Sequence, residues 1–511
     1  MAPNGKMNFA SKVVHARPLV ATLFIASTFY SAGAVAASAL VNGQAALVGE
    51  FISSLPPQSN LMEGLRFPFG LTVEGRASSN LGLFLDLRFN PNQARKPAFA
   101  LGNSGEAGTE FAQPFGNDNG YAGRREGLFV DQAYVVYDAS EAGSFKAGRM
   151  PRNWGLGLWL SDEWKPEGGA VSTSDAISYM VDFSRGLSVT GYWEKFSEGR
   201  LSSRADDADA ITGEVLVTDE LTDVGSSGMS RRLGLAFSKY DHKLSETELK
   251  IFDVFGSFRF GRVGIEGEVN WPTGKTKSLA FSDAGGSQTQ CEASNPQKLS
   301  ISCESQSVEG LNILLRTMFQ LSGGVSSADG ASQLSQTEAA RRRRATAQVA
   351  ESQIVTLTGG YSRGDSDAYE NAKTQDDKIT GIAMHPNVRP SLLMFSPLSE
   401  DVAGMPGAAV RNVVFARAEY SYESPSFGML TPAVIFARLN SLNKKADASD
   451  TKVGLVNNLG FEVNLNYSYR TLDGLRLSLD GGLWVPGGAF ETSGVKPETV
   501  YGARATAATH F

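Results

Sequence analysis

Apolar and polar side chains alternate along many short stretches of this chain. In LGLFLDLRF (81–89) every odd position is Leu or Phe, and the even positions include Asp86 and Arg88. Neighbouring side chains of a β-strand point to opposite faces, so this pattern predicts strands with one apolar and one polar face. The same alternation occurs at 65–76, 261–271, 461–470 and 474–484.

The connections between these stretches are of two kinds. Short turns are predicted at 77–80, 139–144, 184–186, 260–262, 423–426 and 471–474, and long polar loops at 90–125, 152–176, 197–230, 272–309, 363–408 and 440–454. Alternating short and long connections are typical of a transmembrane up-and-down β-barrel with short periplasmic turns and long outer loops. A soluble β-sandwich or a solenoid is the alternative, but a sandwich has no reason to sort its loops by length.

The strand number is predicted from parity, because both ends of such a barrel lie on the same side. A first strand near 43–52, seven hairpins and a last strand at 499–511 predict an all-β barrel of about 16 strands. The stretch RRLGLAFSKY (231–240) is also strand-like, and ITGEVLVTD (211–219) is its candidate partner. If these two stretches pair, the barrel has 18 strands.

The N-terminal segment has the features of a secretory signal peptide. Lys6, Lys12 and Arg17 precede an apolar run at 18–30, and small residues follow at 31–39. The run is too short for a spanning helix, although a retained anchor is the alternative. Cleavage sites are offered after Ala36, Ala37 or Ala39. We predict a signal peptide at 1–36, export, and one barrel domain at 37–511 in the bacterial outer membrane.

Charge and cysteine content restrict the partners. Removal of residues 1–36 takes away three positive charges, so the formal net charge moves from −7 to about −10, which disfavours nucleic acid as a partner. The two cysteines, Cys291 and Cys303, lie in one polar loop. In an exported protein this pair favours a local disulfide over a zinc site, for which no histidine lies nearby.

One hairpin resembles a known family. The stretch AYVVYDASEAGSFKAGRM (133–150), with its short acidic turn and the Gly148–Arg149 pair, is similar to an early periplasmic hairpin of Gram-negative general porins, and the terminal Phe511 is similar to the end of their last strand. The resemblance implies a porin-like barrel and makes Phe511 the signal read by the barrel-assembly machinery. It also implies a homo-oligomer, and we expect outer-membrane lipid and lipopolysaccharide as surroundings. The following PRNWGLGLWLSDEW (151–164) departs from the porin pattern, so the solute cannot be carried over.

Charged residues recur on the polar faces of the predicted strands. In a barrel of this size side chains alone cannot fill the lumen, so these residues are predicted to line a water-filled pore. A static salt-bridge network is the alternative. The predicted pore-lining residues are Arg66, Glu74, Arg76, Asp86, Arg88, Arg262, Glu266, Glu268, Arg316, Arg411, Arg417, Glu419, Glu462, Arg470, Arg476, Asp480 and Arg504.

Two further segments are candidates for narrowing that pore. TEAARRRRATAQVAES (337–352) is strongly helical and carries Arg341 to Arg344; parity places it on the periplasmic side, where a solvated helix is the simpler interpretation. GLGLWLSDEW (155–164) carries Trp159 and Trp164. It is predicted either to fold inward and stack solutes or to anchor at the membrane interface.

Catalytic motifs are absent from the sequence. Histidines are few and far apart after His15, and neither a Gly-x-Ser-x-Gly elbow nor a zinc-protease motif occurs. No catalytic residue, metal site or cofactor is therefore predicted. The leading hypothesis is a channel for passive diffusion of small hydrophilic solutes. The alternatives are a non-conducting scaffold whose long loops serve adhesion, surface attachment or polysaccharide handling, and, third, a barrel enzyme.

Overall fold

The computed structural model is a closed antiparallel β-barrel. It describes residues 38–53, 62–89, 128–163, 172–183, 186–197, 208–221, 229–242, 247–276, 291–292, 302–303, 305–322, 351–364, 378–382, 384–385, 387–395, 410, 412–440, 457–471, 474–490 and 498–510. Within these residues eighteen strands form the barrel wall. The predicted signal peptide (1–36), the Arg341–Arg344 helix and Phe511 lie outside the described residues.

The strands follow one another in chain order around the wall, and two of them are interrupted. They are β1 Ser38–Ile52, β2 Met62–Arg66 with Phe69–Arg76, β3 Leu81–Phe89, β4 Leu128–Asp138, β5 Ser144–Pro151, β6 Thr173–Phe183, β7 Leu187–Ser197, β8 Ala208–Leu221, β9 Met229–His242, β10 Thr247–Phe260, β11 Val263–Thr276, β12 Gln306–Glu309 with Asn312–Ser322, β13 Ser352–Ser362, β14 Val413–Ser424, β15 Gly428–Leu439, β16 Asn458–Arg470, β17 Arg476–Pro486 and β18 Val500–His510.

The barrel closes between the first and the last strand. β1 pairs antiparallel with β18 from Gln44 opposite His510 to Ile52 opposite Gly502. The other edge of β1 pairs with both parts of β2. Closure leaves the wall without a free edge, which confirms the barrel and excludes the sandwich.

The count of eighteen corrects the first expectation of sixteen and confirms the alternative. β8 and β9 pair along their full length, from Leu221 opposite Met229 to Ala208 opposite His242. The loop predicted at 197–230 therefore contains a strand. A long solvent-exposed loop was expected there because the acidic DDADA run (206–210) and the polar residues after 219 obscure the apolar alternation between them.

The two faces of the wall differ as the alternation predicts. Outward-pointing side chains such as Leu235 and Leu479 are 58% and 54% exposed, whereas the inward-pointing Glu268 and Glu462 are fully buried. An apolar surface that continues around the whole barrel needs hydrocarbon around it, so the outward face is the membrane face. Among the described residues, no helix has the length and hydropathy needed to cross a bilayer.

The two cysteines face each other outside the barrel wall. Cys291–Glu292 and Ser302–Cys303 form a two-stranded ladder in which Cys291 lies directly opposite Cys303. Their side chains lie outside the described part of the structure, so the disulfide stays a prediction. The loop that carries them connects β11 to β12.

Candidate functional site

Two loop segments fold into the barrel instead of extending away from it. The first inward segment, residues 152–163, follows β5, and the second inward segment, residues 380–395, lies between β13 and β14. Their backbone and side chains bond to inward-pointing groups of β7, β8, β10, β11, β14 and β16. Both segments therefore occupy the lumen.

A buried arginine anchors the beginning of the first inward segment. Nε of Arg152 lies 2.7 Å from the carboxylate of Glu194, Nη1 lies 3.1 Å from Glu214, and the guanidinium stacks 3.4 Å above the ring of Tyr192. Burial lowers the pKa of Arg152, but the two carboxylates more than offset this, so its pKa is raised. The arginine stays charged and ties the segment to β7 and β8.

Two carboxylates of the wall hold the turn of the first segment. The indole Nε1 of Trp154 donates to Asp253 at 2.8 Å. Glu268 accepts the backbone N–H groups of Leu156 and, at 3.2 Å, of Leu158. One side chain that accepts two backbone N–H groups fixes the turn at two points. The loop backbone is thus fixed to β10 and β11, which lie further around the wall than the strands that hold Arg152.

Glycine at position 155 is required by this turn. Gly155 has φ +57, and a Cβ there would lie 2.5 Å from Oε2 of Glu268. We expect Gly155→Ala to displace the first segment, because the strained backbone and the clash both oppose the docked position. The measurement is single-channel conductance, expected to become larger and noisier. Gly213→Ala is the matched control, since its Cβ would meet nothing within 4 Å; an equal effect in both variants would contradict the assignment.

One glutamate of the wall holds the second inward segment. Glu462 accepts the backbone N–H groups of Leu392 and Leu393 at 2.8 Å each and of Met394 at 2.7 Å. From β14, Arg417 donates to the carbonyl of Pro390 at 2.8 Å. Three donors on a single carboxylate resemble the capture of an anion by consecutive backbone amides. They fix the turn at 392–394 against β16.

Apolar packing supports the same segment. Leu393, Met394 and Phe395 are buried against the inward-pointing Phe415 and Trp484. Without the docked segment, aromatic and long aliphatic side chains on the inner face of so wide a barrel would have no apolar surface to pack against. Residues of the barrel wall and of the second inward segment therefore form a small hydrophobic core inside the lumen.

The two inward segments bond to each other. The N–H of His385 donates to the carbonyl of Leu158 at 2.7 Å, and the side-chain amide of Asn387 donates to Ser161 at 2.9 Å and to the carbonyl of Glu163 at 3.0 Å. Leu158 also packs in the same cluster as Met384 of the second segment. The segments form one plug-like structure across part of the lumen.

A serine and a histidine meet at this junction, but their arrangement does not suit catalysis. Ser172 Oγ lies 3.0 Å from His385 Nε2, and both side chains are buried. His385 Nδ1 accepts the N–H of Asn387 at 3.2 Å, which leaves the ring proton on Nε2, pointing at Ser172. A general base must accept the serine proton, so this histidine holds the loop instead of activating a nucleophile.

The predicted pore-lining residues fall into three groups. Glu268 and Glu462 are buried and hold the inward segments, while others form ion pairs along the inner wall: Asp86 with Arg88, Glu266 with Arg316, Arg417 with Glu419, and Asp480 with Arg504. Glu74 is half-buried, and its negative charge acts on inward-pointing Tyr134. The third group is exposed at the ends of strands: Arg76, Arg470 and Arg476 lie beside short turns, and Arg262 lies in the turn between β10 and β11.

Two predicted residues cannot be assigned to a face. Arg411 and the side chain of Arg66 lie outside the described residues, as does Trp164. Trp159 is described, and it is buried in the lumen with Trp154, Leu249 and Ile382. The inward position predicted for its loop is therefore confirmed, and the interfacial position predicted as its alternative is wrong for Trp159.

Sequence reasoning missed several residues of the site. Arg152, Glu194, Glu214 and Asp253 and the whole second inward segment were not singled out. A usable signal existed for Asp253, which interrupts the apolar run KIFDVF at an inward-pointing position. No comparable signal marks the second segment, because its apolar run SLLMF (391–395) looks like an ordinary short strand.

The first inward segment itself carries an ionisable group, the carboxyl of Asp162. Burial raises the pKa of the Asp162 carboxyl, and the nearby positive charge of Arg88 lowers it in part. Among the described residues, no group of three or more His, Cys, Asp or Glu side chains is arranged to hold a metal ion.

The chain thus folds as a closed membrane β-barrel whose lumen contains two docked loop segments. No protein-family model matches it, and no curated protein matches it. Solved structures from Pseudomonas aeruginosa align over most of it. OccK2 (OpdF) aligns at 9% sequence identity with a TM-score of 0.47, over 93% of this chain and 98% of the other. OpdK with vanillate aligns at 10% identity with a TM-score of 0.46, over 92% of this chain and 98% of the other, and OccK9 (OpdG) at 11% identity with a TM-score of 0.45, over 93% and 98% of the two chains. At this identity the likeness concerns the fold alone.

Proposed function

We propose that this protein is a channel of the bacterial outer membrane through which small hydrophilic solutes diffuse passively. Charged side chains on the inner wall that keep contact with water support the proposal. The side chains of Arg316 and Arg417 are 39% and 24% exposed although they point inward, and their partners Glu266 and Glu419 are 20% and 22% exposed. Water therefore reaches the inner wall beside the docked segments.

The docked segments give this channel a constriction. They pack against inward-pointing residues of β8–β10, β12 and β14–β18. A pore that is narrowed by fixed segments and lined by paired charges selects solutes by size and by charge distribution. The walls of the remaining passage carry both positive and negative charges. The net charge selectivity therefore depends on which residue of each ion pair the solute contacts.

Reconstitution in a planar bilayer tests the proposal. Purified protein is expected to produce discrete ohmic conductance steps in salt solution. Reversal potentials in a salt gradient should then report the charge preference. Arg316→Gln should shift this preference toward cations, because Glu266 is left without its neutralising partner. Asn466→Gln, a polar change on the same inner wall, is the control for a nonspecific shift.

A folded barrel that inserts but stays silent would contradict the channel and favour the scaffold hypothesis. Loop-mediated adhesion or polysaccharide handling would then be the function to test. For the third hypothesis, a barrel enzyme, the Ser172–His385 pair gives no support, because the Nε2 proton of His385 points at Ser172.

A further inference from the structure

A row of charged residues crosses the membrane face of the barrel near its loop end. Cross-strand neighbours in this row are Arg149, Asp175, Lys195, Asp209, Asp241, Glu248 and Lys275, one on each strand from β5 to β11. Several of these charges pair within the row: Arg149 bonds to Asp175 at 2.7 Å and Lys275 to Glu248 at 3.4 Å.

One step closer to the membrane centre, two lysines face each other. Lys239 on β9 lies directly opposite Lys250 on β10, and both side chains point outward and are exposed. Neither forms an ion pair or hydrogen bond with a described residue. Like charges directly opposite each other destabilise a sheet, so an anionic partner would stabilise this lysine pair.

The position of the lysine pair indicates which anion this is. Phe237 and Phe252 lie directly below it on the same face with ring centroids 4.9 Å apart, and Trp271 continues the aromatic row at 6.4 Å. Such a row marks the edge of the apolar band of a membrane barrel. The lysines therefore lie at headgroup level.

The height of the band agrees with this position. Phe260, exposed at the turn end of β10, is ten residues from Lys250. At about 3.3 Å per residue and a tilt of about 40°, this distance corresponds to about 25 Å across the membrane, the height of the apolar band.

The surrounding charges favour an amphiphile over a free anion. Asp241 and Glu248 lie next to the lysines on the loop side and repel an anion approaching from solution. On the membrane side, the aromatic row offers apolar surface to acyl chains. We propose that Lys239 and Lys250 bind the phosphate headgroup of an outer-leaflet lipid of the lipid A type. This inference rests on the membrane setting of the proposed function.

Binding of fluorescent diphosphoryl lipid A to the full-length protein in nonionic detergent tests the site. We expect Lys239→Gln and Lys250→Gln each to weaken binding about fivefold, and the double variant about twentyfold, since a lysine near an anionic lipid surface contributes about that much. Lys275→Gln is the matched control, because this outward lysine of the same rim already pairs with Glu248; a change below twofold is expected. Dephosphorylated lipid A should bind weakly, and excess inorganic phosphate should fail to displace the probe.

Unchanged binding in the folded double variant would overturn the proposal. Equal loss in Lys275→Gln, equal binding of dephosphorylated lipid A, or displacement by inorganic phosphate would each overturn it as well. Conductance of the same preparations is an independent measurement. Silent barrels that bind lipid A through the two lysines contradict the channel only, and conducting barrels that bind it without them contradict this inference only.

Discussion

Replacement of Glu462 by alanine is expected to release the second inward segment and to increase the conductance of the barrel. The substitution removes the acceptor of three backbone N–H groups, at Leu392, Leu393 and Met394. Hydrogen bonds to a charged group contribute about 1.5 kcal/mol or more each, so the loss of three such bonds, about 4.5 kcal/mol, favours the released form about two-thousandfold. Single-channel recordings should show larger and noisier steps.

Limited proteolysis provides a second measurement of the same release. Phe395 is 1% exposed in the docked segment, so chymotrypsin should cleave there slowly in the native protein and at least about tenfold faster in Glu462→Ala. Asn466→Ala is the matched control, because it lies on the same face of β16 and bonds to Asp480 and not to the segment. Native conductance and a native cleavage rate in Glu462→Ala would contradict the role of Glu462 in holding the second inward segment.

Replacement of Arg152 by methionine is expected to destabilise the protein by about 3–5 kcal/mol. Arg152 is 1% exposed, and its removal leaves Glu194 and Glu214 buried without a counter-charge. Loss of one partner from a buried ion pair has costs of this size. The midpoint of guanidinium-induced unfolding in detergent, followed by circular dichroism, should fall accordingly.

Two comparisons separate this effect from the loss of an ordinary salt bridge. Arg149→Met removes an arginine three residues away whose partner Asp175 is 54% exposed, and it should change stability by at most about 1 kcal/mol. The triple variant Arg152→Met/Glu194→Gln/Glu214→Gln removes all three charges together and should recover most of the lost stability. Equal destabilisation by the single and triple variants would show that lost packing, and not the uncompensated charge, causes the effect.

The barrel could be predicted because its signal is local and repeated. Within each strand, apolar and polar residues alternate with a period of two, as at 81–89 and 461–470, and this alternation identifies the two faces. The alternation of short turns and long loops then indicates where the strands end. The strand number was ambiguous only at β8 and β9, where polar flanking residues hide the alternation. Register across β8 and β9 resolves it.

The lumen could be predicted only in part. Glu268 and Glu462 were assigned to the pore wall from their position on polar faces, and both do point inward. Their bonding to loop backbone was not foreseeable, because the partners lie 112 and 70 residues away along the chain. The same applies to Arg152, whose partner Glu194 belongs to another strand.

Alternation of side chains by itself determined that this chain forms a membrane barrel with an apolar outside and a charged inside, because strand periodicity depends only on neighbouring residues. Tertiary structure alone decided which inner charges line water and which hold loops, and which outer lysines lie directly opposite each other on β9 and β10. These outcomes depend on cross-strand register and on the return of loops into the lumen, and both join residues that are far apart in sequence.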